Sequence, residues 1–379
     1  MDSKTLTYRE DAGWSCALPT ELDGPNTLVI AFGAASYIDS PAALTELMAA
    51  FPRSKVIGCS SAGEIHADLV ADDTLVVAVA RFEHATVAYA AAPIDAMADS
   101  AQAGSCIGAE LAGIHPRLVL VLSDGLRVNG SELVKGMARM LPPDTIISGG
   151  LAGDGDRFAR TWVIVDGQPR SGYVTAVGLS GAVEVTTGSK GGWDIFGPER
   201  RVTRSEGNVL YELDGKPALA LYKTYLGELA KGLPATALLF PLAIRDGVED
   251  SHAVVRTILA IDEPAQSMTF AGDVPQGWRA RLMRATDDRL IEGAALAAAS
   301  AMVGGSGDPV LSLAISCVGR RLVLGQRVEE ETEAVLHALP AGSQQIGFYS
   351  YGEISPNGFS GCDLHNQTMT LTTLREVVA

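Results

Sequence analysis

The chain has 379 residues, of which 47% are hydrophobic and 20% charged, and this composition predicts a folded protein of two domains rather than a disordered chain. Its 29 lysines and arginines are outnumbered by 45 aspartates and glutamates, so the net charge of −16 argues against nucleic acid as a partner. No apolar run reaches the roughly 18 residues that a membrane-spanning helix needs, so membrane insertion is not expected.

Strands and helices alternate along the first half of the chain, after residues 1–25, which are interpreted as an irregular lead-in. Apolar runs and amphipathic stretches predict strand Thr27–Phe32, helix Pro41–Ala50, helix Asp99–Ala112 and strand Leu118–Leu122. Two β-hairpins are also expected, Leu75–Val79 with Thr86–Ala90 and Trp162–Val165 with Tyr173–Val177.

The second half repeats this alternation after a boundary expected within residues 190–235. Helices are predicted at Ala218–Leu229, Asp287–Val303 and Glu329–Ala338, and a strand at Val310–Ser316. Parallel β-α-β units with added hairpins form mixed sheets packed by helices. The predicted fold class is therefore α/β with mixed α+β features.

An internal repeat organises this pattern. Residues Ile57–Ile65 and Ile346–Ile354 are identical at six of nine positions, and each copy contains Ser-x-Gly-Glu. A weaker copy appears when residues 27–64 are aligned without gaps on residues 117–154. The repeat predicts two pseudo-symmetric halves, each a mixed sheet layered with helices. It also predicts strand–helix–strand motifs over 27–64, 117–154 and 309–354, with Gly63, Gly153 and Gly352 on equivalent turns.

The five cysteines, Cys16, Cys59, Cys106, Cys317 and Cys362, are scattered and include no Cys-x-x-Cys pair. Such a set is typical of reduced thiols in a cytoplasmic protein and argues against a structural zinc site. The N-terminal residues lack the apolar core of a secretory signal, which agrees with a cytoplasmic location.

Several long motifs resemble those of the FIST domain family. They are Gly58–Ile65, Leu122–Gly125, Gly149–Asp154 and Glu206–Leu219, which are similar to the FIST N-terminal domain, and Ser316–Arg320, Gly347–Ile354 and His365–Thr368, which are similar to the FIST C-terminal domain. The resemblance implies a FIST N-terminal domain at 26–215 and a FIST C-terminal domain at 216–379. It also implies a non-enzymatic sensory module that binds a small ligand.

The resemblance carries two further expectations about partners and cofactors. Sensory modules of this family work beside histidine kinases, chemoreceptors or cyclic-di-GMP enzymes, so the signal is expected to pass to such a separate protein. Some members bind haem to sense nitric oxide, so haem b is a candidate cofactor and His365 its candidate axial ligand.

The Gly-acid turns contain the first candidate ligand-binding residues. Glu64, Asp154 and Glu353 could each accept hydrogen bonds from a ligand amine, as an amino-acid sensor would require. Alternatively, each carboxylate could cap backbone N–H groups of its own turn. Ser61, Gly63 and Gly352 lie on these turns and are included as candidates.

The remaining candidates lie in the C-terminal half. Arg320 could hold a ligand carboxylate or a haem propionate, or form a salt bridge with a turn carboxylate such as Glu353. A small-molecule enzyme is the alternative function: Cys317 could be a nucleophile paired with His365, or a carboxylate could act as nucleophile or base, although free cysteines are more often buried and inert.

Tyr351 is an alternative haem ligand, and Asn366 belongs to the same motif as His365. The interpretation as a whole places one shared cleft at Ser61, Glu64, Arg320, Tyr351, Glu353 and His365.

Overall fold

The computed structural model describes residues 1–247, 253–303, 307–356 and 361–377. These residues form three related units and one inserted domain. Each unit contains an edge strand, a strand–helix–strand motif with parallel strands, a short excursion into a neighbouring sheet, and a returning strand. Among the described helices, none combines the length and the apolar character that crossing a membrane requires.

The elements of each unit follow one another in the chain. The first unit contains β1 (Asp2–Arg9), β2 (Gly13–Trp14), β3 (Thr27–Gly33), α1 (Ala42–Ala50), β4 (Lys55–Ser60), β5 (Glu64–His66), β6 (Leu69–Ala71) and β7 (Thr74–Arg81). The second contains β8 (Ala85–Pro93), α2 (Ser100–Ala112), β9 (Leu118–Ser123), α3 (Gly130–Ala138), β10 (Ile146–Leu151), β11 (Val163–Val165), β12 (Gln168–Arg170) and β13 (Tyr173–Gly181).

The third unit is interrupted by the inserted domain. The insertion contains β15 (Asp194–Glu206), β16 (Val209–Leu213), β17 (Lys216–Pro217), α4 (Ala218–Leu226), β18 (Leu242–Arg245), β19 (Val254–Arg256), β20 (Ile258–Asp262), β21 (Ser267–Phe270) and β22 (Arg279–Arg284). The unit itself contains β14 (Val183–Lys190), α5 (Asp287–Ala301), β23 (Leu311–Cys317), α6 (Val318–Leu324), α7 (Val328–Ala338), β24 (Gln344–Ser350), β25 (Gly352–Pro356), β26 (Cys362–His365) and β27 (Met369–Glu376).

The three units share one sheet topology. The strand orders are β4-β3-β7-β1, β10-β9-β13-β8 and β24-β23-β27-β14, with the first two strands of each parallel and the others antiparallel. The three strand–helix–strand motifs that the repeat predicted are therefore confirmed, as is the α/β class with mixed sheets. The expected relation between two halves is refined to three related units, two of them in the first half of the chain.

The units are interlocked by cyclic exchange of short strands. Strand β5 of the first unit pairs with β24 of the third, β25 of the third pairs with β10 of the second, and β11 of the second pairs with β4 of the first. Strands β5 and β25 begin at their Gly-acid turns, and the Asp154 turn is bonded to Tyr351 of the third unit, so each turn lies where two units meet. A site at one of these turns is therefore built from residues of more than one unit.

The central strands are buried on both faces, which explains their continuous apolar runs. Leu28, Leu118 and Leu311 belong to one apolar core at which the three sheets meet. The opposite faces of the strands pack against the helices, as Val29 does beside α1. Because both faces are buried, most residues of these strands are apolar, and the strands are therefore easily identified in the sequence.

Three local expectations are wrong, and in each case the strand pairs differently from what the local pattern suggested. Residues 2–9 are not irregular: β1 pairs along its whole length with β7. The segment 75–79 does not pair with 86–90, because β7 belongs to the first sheet and β8 to the second. The segment 162–165 likewise pairs with β12 in the first sheet, whereas β13 lies in the second.

The turn glycines follow equivalent strands but differ in backbone conformation. Gly63 has a φ of +132°, a conformation that favours glycine, whereas neither Gly153 nor Gly352 has a positive φ. The predicted division at 215/216 falls inside the inserted domain, between the paired strands β16 and β17.

Candidate functional site

Two of the three Gly-acid turns use the same hydrogen bonds. Glu64 accepts from the Ser61 hydroxyl through Oε1, and through Oε2 from the backbone N–H and the hydroxyl of Thr74, at 3.0 and 2.8 Å. Glu353 accepts from the Ser350 hydroxyl at 2.6 Å, and from the N–H and hydroxyl of Thr368 at 3.1 and 3.0 Å. Each carboxyl group thus ties its turn to the start of the returning strand of its own unit.

Both glutamates are almost completely buried, and burial dominates their acidity. It raises the pKa of Glu64 to about 7 and that of Glu353 to about 8, although the hydrogen bonds from serine and threonine act in the opposite direction. Both groups therefore change protonation near neutral pH.

The third Gly-acid turn, which contains Asp154, is stabilised by a different set of hydrogen bonds. The Tyr351 hydroxyl donates to Asp154, whose other oxygen accepts from the backbone N–H groups of Ala159 and Arg160 at 2.9 and 2.8 Å. The Tyr351 ring stacks on Phe158 with 4.5 Å between ring centroids. Asp154 and Tyr351 are therefore engaged in joining the second and third units.

A cavity of about 550 Å³ opens beside the Glu64 turn. Residues of all three units line it: Ala34, Ser61, Ala62, Gly63, Glu64, Asp72, Asp73, Gly155, Asp156, Arg157, Val318, Arg321, Leu322, Gly325, Gln326 and Val328. Its volume is in the range of small-molecule binding sites in proteins. We call it the Glu64 cleft.

Arg321 forms one wall of the Glu64 cleft. Its guanidinium donates to the two oxygens of Asp72 at 2.8 and 2.7 Å and to the carbonyl of Ala62 at 2.6 Å. Hydrogen bonding to Arg321 is the main cause of the lowered pKa of Asp72. A Cβ atom on Gly63 would lie only 2.6 Å from the Arg321 Nη1 atom, so a larger residue there would displace this guanidinium, and the φ of +132° itself favours glycine.

Arg157 lies on another wall of the Glu64 cleft. The side chain is exposed, and its guanidinium forms no hydrogen bond or ion pair with any residue that the structure describes. The positive charge of Arg157 contributes to the lowered pKa of Asp72. The Glu64 cleft therefore offers a free guanidinium as well as a buried carboxyl group.

Three of the predicted site residues, Ser61, Gly63 and Glu64, line this cleft, but the expected six-residue cleft does not form. Arg320 is fully buried in α6, where its Nε donates to Glu331 at 2.8 Å and its Nη2 donates to the carbonyl of Leu290, also at 2.8 Å. Glu331 also accepts from the hydroxyls of Ser316 and Tyr349. The partner of Arg320 is thus Glu331 rather than the expected Glu353, because α6 directs Arg320 into the core.

Cys317, Gly352 and Asn366 are also buried away from the cleft. Burial raises the pKa of the Cys317 thiol far above its usual value, which disfavours the reactive thiolate. Asn366 accepts a hydrogen bond from the Thr257 backbone N–H at 3.2 Å and so joins the third unit to the inserted domain. These contacts are structural in character.

The residues do not fit a haem site. The ring of His365 lies 3.2 Å from the Ser355 carbonyl, and burial lowers its pKa. The Glu64 cleft has no histidine, cysteine or aromatic side chain among its lining residues, so it offers neither an axial ligand nor a flat apolar wall for a porphyrin. Within the described ranges, no group of three or more His, Cys, Asp or Glu side chains could hold a metal ion.

Sequence reasoning did not identify Arg157, Arg321 and Asp72. Arg321 directly follows the candidate Arg320, and one residue along a helix rotates the side chain by about 100°. The Arg320 side chain therefore points into the core, whereas the Arg321 side chain lines the Glu64 cleft. A signal for Arg157 was present in Asp154-Gly155-Asp156-Arg157, where a basic residue follows one of the Gly-acid turns.

Comparison with known proteins agrees with the motifs in the sequence. A family model of the FIST N domain matches residues 27–216, and a model of the FIST C domain matches residues 218–356. No curated protein matches the chain significantly. The crystal structure of a cyanuric acid hydrolase from A. caulinodans is similar over 100% of this chain and 99% of its own, at 10% identity and a TM-score of 0.37. A similarity at that level does not bear on the activity of this chain.

Proposed function

The chain belongs to the FIST family, whose domains are sensory domains of signal transduction, and we propose that it senses a small polar ligand bound in the Glu64 cleft. The observation that supports this most is that one cavity is lined both by a buried carboxyl group, Glu64, and by the guanidinium of Arg157, which has no partner among the described residues. Glu64 is buried and hydrogen-bonded within its own turn, whereas Arg157 is exposed and has no hydrogen-bond or ion-pair partner among the described residues, so its charge is available to a ligand in the same cavity.

The charges of the cleft favour a ligand with both an ammonium and a carboxylate group, such as an amino acid. A carboxylate has four lone-pair positions, two on each oxygen. Internal hydrogen bonds occupy both positions on Glu64 Oε2 and one on Oε1, so one position on Oε1 can accept a hydrogen bond from a ligand. Arg157 offers a planar fork of donors for a carboxylate. Asp72 is already held by Arg321, so Glu64 is the better partner for the ammonium.

The position of the cleft suggests how binding becomes a signal. Ser61 and Glu64 come from the first unit, Arg157 from the second and Arg321 from the third. A ligand that contacts all three would stabilise one relative arrangement of the units over others. The resulting surface would be recognised by a separate protein, for which a histidine kinase or a cyclic-di-GMP enzyme is the class that family membership suggests.

The cysteines bear both on where the protein is located and on whether it has a catalytic thiol. All five cysteines are free, as in proteins of a reducing compartment, and we place the protein in the cytoplasm. No catalytic role is proposed for Cys317, since its thiol is buried and its pKa is raised.

The test is a thermal-shift screen of free amino acids, followed by calorimetric titration of any that stabilise the protein. A ligand at about 100 times its Kd should stabilise the folded state by ~2.7 kcal/mol. Arg157→Gln and Glu64→Gln should each weaken binding by about tenfold or more, because each removes a charge-assisted hydrogen bond.

The fold provides a matched control in Glu353→Gln. Glu353 has the same hydrogen-bonding pattern as Glu64 but does not line the cleft, so its substitution should leave affinity unchanged. Equal loss of affinity in the two variants would show that the effect comes from general destabilisation and would contradict a site in the Glu64 cleft.

A further inference from the structure

A row of arginines crosses the sheet of the inserted domain. Arg245 on β18 and Arg201 on β15 both lie directly opposite Arg279 on β22, the strand between them. Arg281 follows two residues after Arg279 and therefore projects from the same face of that strand. Four arginines thus converge on one small area of a chain whose net charge is −16.

Such an arrangement is unfavourable unless anions compensate it, because like charges directly opposite each other destabilise a sheet. Glu199 supplies part of the compensation, at 2.5 Å from Arg245 and 3.3 Å from Arg279. Asp246 also lines the area, and Asp214, which is paired with Arg200 at 3.1 Å, lies within electrostatic reach of Arg279.

The arginines enclose a concave space rather than a flat surface. One cavity of about 400 Å³ is lined by Glu199, Arg201, Arg245, Asp246, Gly247, Gly277 and Arg279. A smaller one of about 30 Å³ shares Glu199, Arg245 and Arg279 with it and adds Arg281. We call the two together the arginine pocket.

Two of the arginines that line this pocket have donors without an acceptor among the described residues. The Arg281 Nε atom is buried and has no acceptor among the described residues. The Arg201 guanidinium likewise has no hydrogen-bond or ion-pair partner in the described part of the chain. A buried donor without an acceptor costs free energy that a bound anion would recover.

We propose that the arginine pocket is a second binding site, specific for a small multiply charged oxyanion such as a phosphate group carried by a small molecule. Guanidinium groups at several angles match the tetrahedral arrangement of phosphate oxygens. A small anion is favoured over an acidic protein surface, because the arginines line a concave space that a flat surface cannot fill. The site belongs to the inserted domain and does not depend on the function of the Glu64 cleft.

Calorimetric titration with pyrophosphate and with inorganic phosphate tests the proposal on the full-length protein. Pyrophosphate should bind the wild type more tightly than phosphate, with an affinity that falls as salt concentration rises. Arg281→Gln and Arg279→Gln should each weaken binding by about tenfold or more. Since 52% of the Arg279 side chain is exposed, the Arg279→Gln variant should fold normally. If Arg281→Gln does not fold, the affinity of Arg279→Gln for pyrophosphate still tests the proposal.

Arg204→Gln is the matched control. Arg204 lies on β15 of the same sheet but is bonded to Glu212 at 3.0 Å and stacked over Tyr211, outside the arginine pocket. Its substitution should leave pyrophosphate binding unchanged. No binding to the wild type, or equal loss in the Arg204 and Arg279 variants, would overturn the proposal. Tighter binding of polyglutamate than of pyrophosphate would also overturn it and would identify the face as a protein-docking surface.

Discussion

Replacing Glu64 by glutamine should change how the stability of the protein depends on pH. Burial raises the pKa of the Glu64 carboxyl from its ordinary value of 4.5 to about 7, so the folded state holds this proton more tightly than the unfolded state. Between these two pKa values the unfolded state binds fewer protons, and the free energy of unfolding therefore falls as pH rises. The stabilising contribution is fully present below about pH 4.5 and is lost by about pH 7.

The size of this effect follows from the pKa difference. A difference of about 2.5 between the folded and unfolded states corresponds to ~3 kcal/mol, since one pKa unit is worth ~1.36 kcal/mol. Glutamine keeps the shape and stays neutral. Its oxygen can accept the two hydrogen bonds from Thr74, and its amide can donate to Ser61. The variant should lack this part of the pH dependence.

The assay is urea unfolding of the wild type and Glu64→Gln at intervals between pH 4.5 and 8. The difference between the two free energies of unfolding isolates the Glu64 contribution and should change by ~3 kcal/mol across that range. Glu46→Gln, which removes a carboxylate from the exposed face of α1, is the control and should give a curve parallel to the wild type. If the Glu64→Gln curve is parallel as well, the argument from burial is refuted.

Three further predictions concern the core, the cleft and the cofactor. Arg320→Met should destabilise the protein by ~3–5 kcal/mol because it leaves Glu331 charged and buried without its partner, and the double variant with Glu331→Leu should recover most of that loss in urea unfolding. If Arg320→Met is instead neutral, the buried pair is not an ion pair. Gly63→Ala should weaken ligand binding in the Glu64 cleft, since a Cβ there collides with Arg321 and the φ of +132° is strained for alanine; an unchanged affinity by titration would show that this wall is adaptable. Reconstitution with hemin should give no stoichiometric Soret band, and a band that is present in the wild type but lost in His365→Ala would restore the haem hypothesis.

The sequence predicted the parts of the fold that local pattern determines. The apolar run at Thr27–Phe32 and the helix before Pro52 were identifiable because burial and helical periodicity leave their pattern in neighbouring residues. The Ser-x-Gly-Glu repeat predicted equivalent turns, and the hydrogen bonds of Glu64 and Glu353 explain why serine and glutamate recur at that spacing.

What the sequence could not predict depends on contacts between distant residues. Strand β11 follows an apolar pattern that fits a hairpin with β13, yet it crosses to the first sheet, because the three units exchange strands. The partner of Arg320 was unpredictable for a similar reason: Glu331 lies on a separate helix that only packing of the third unit brings close. Within the candidate site, Glu64 could be inferred from the repeat, whereas Arg157 approaches it only through the meeting of two units.

Ligand binding in the Glu64 cleft is tested most sharply by a crystal structure of the protein with the amino acid that stabilises it most in the thermal-shift screen. We expect electron density in the Glu64 cleft, with the ligand ammonium within hydrogen-bonding distance of Glu64 Oε1 and its carboxylate on the Arg157 guanidinium. Density at His365 or in the arginine pocket, with the Glu64 cleft empty, would contradict this expectation.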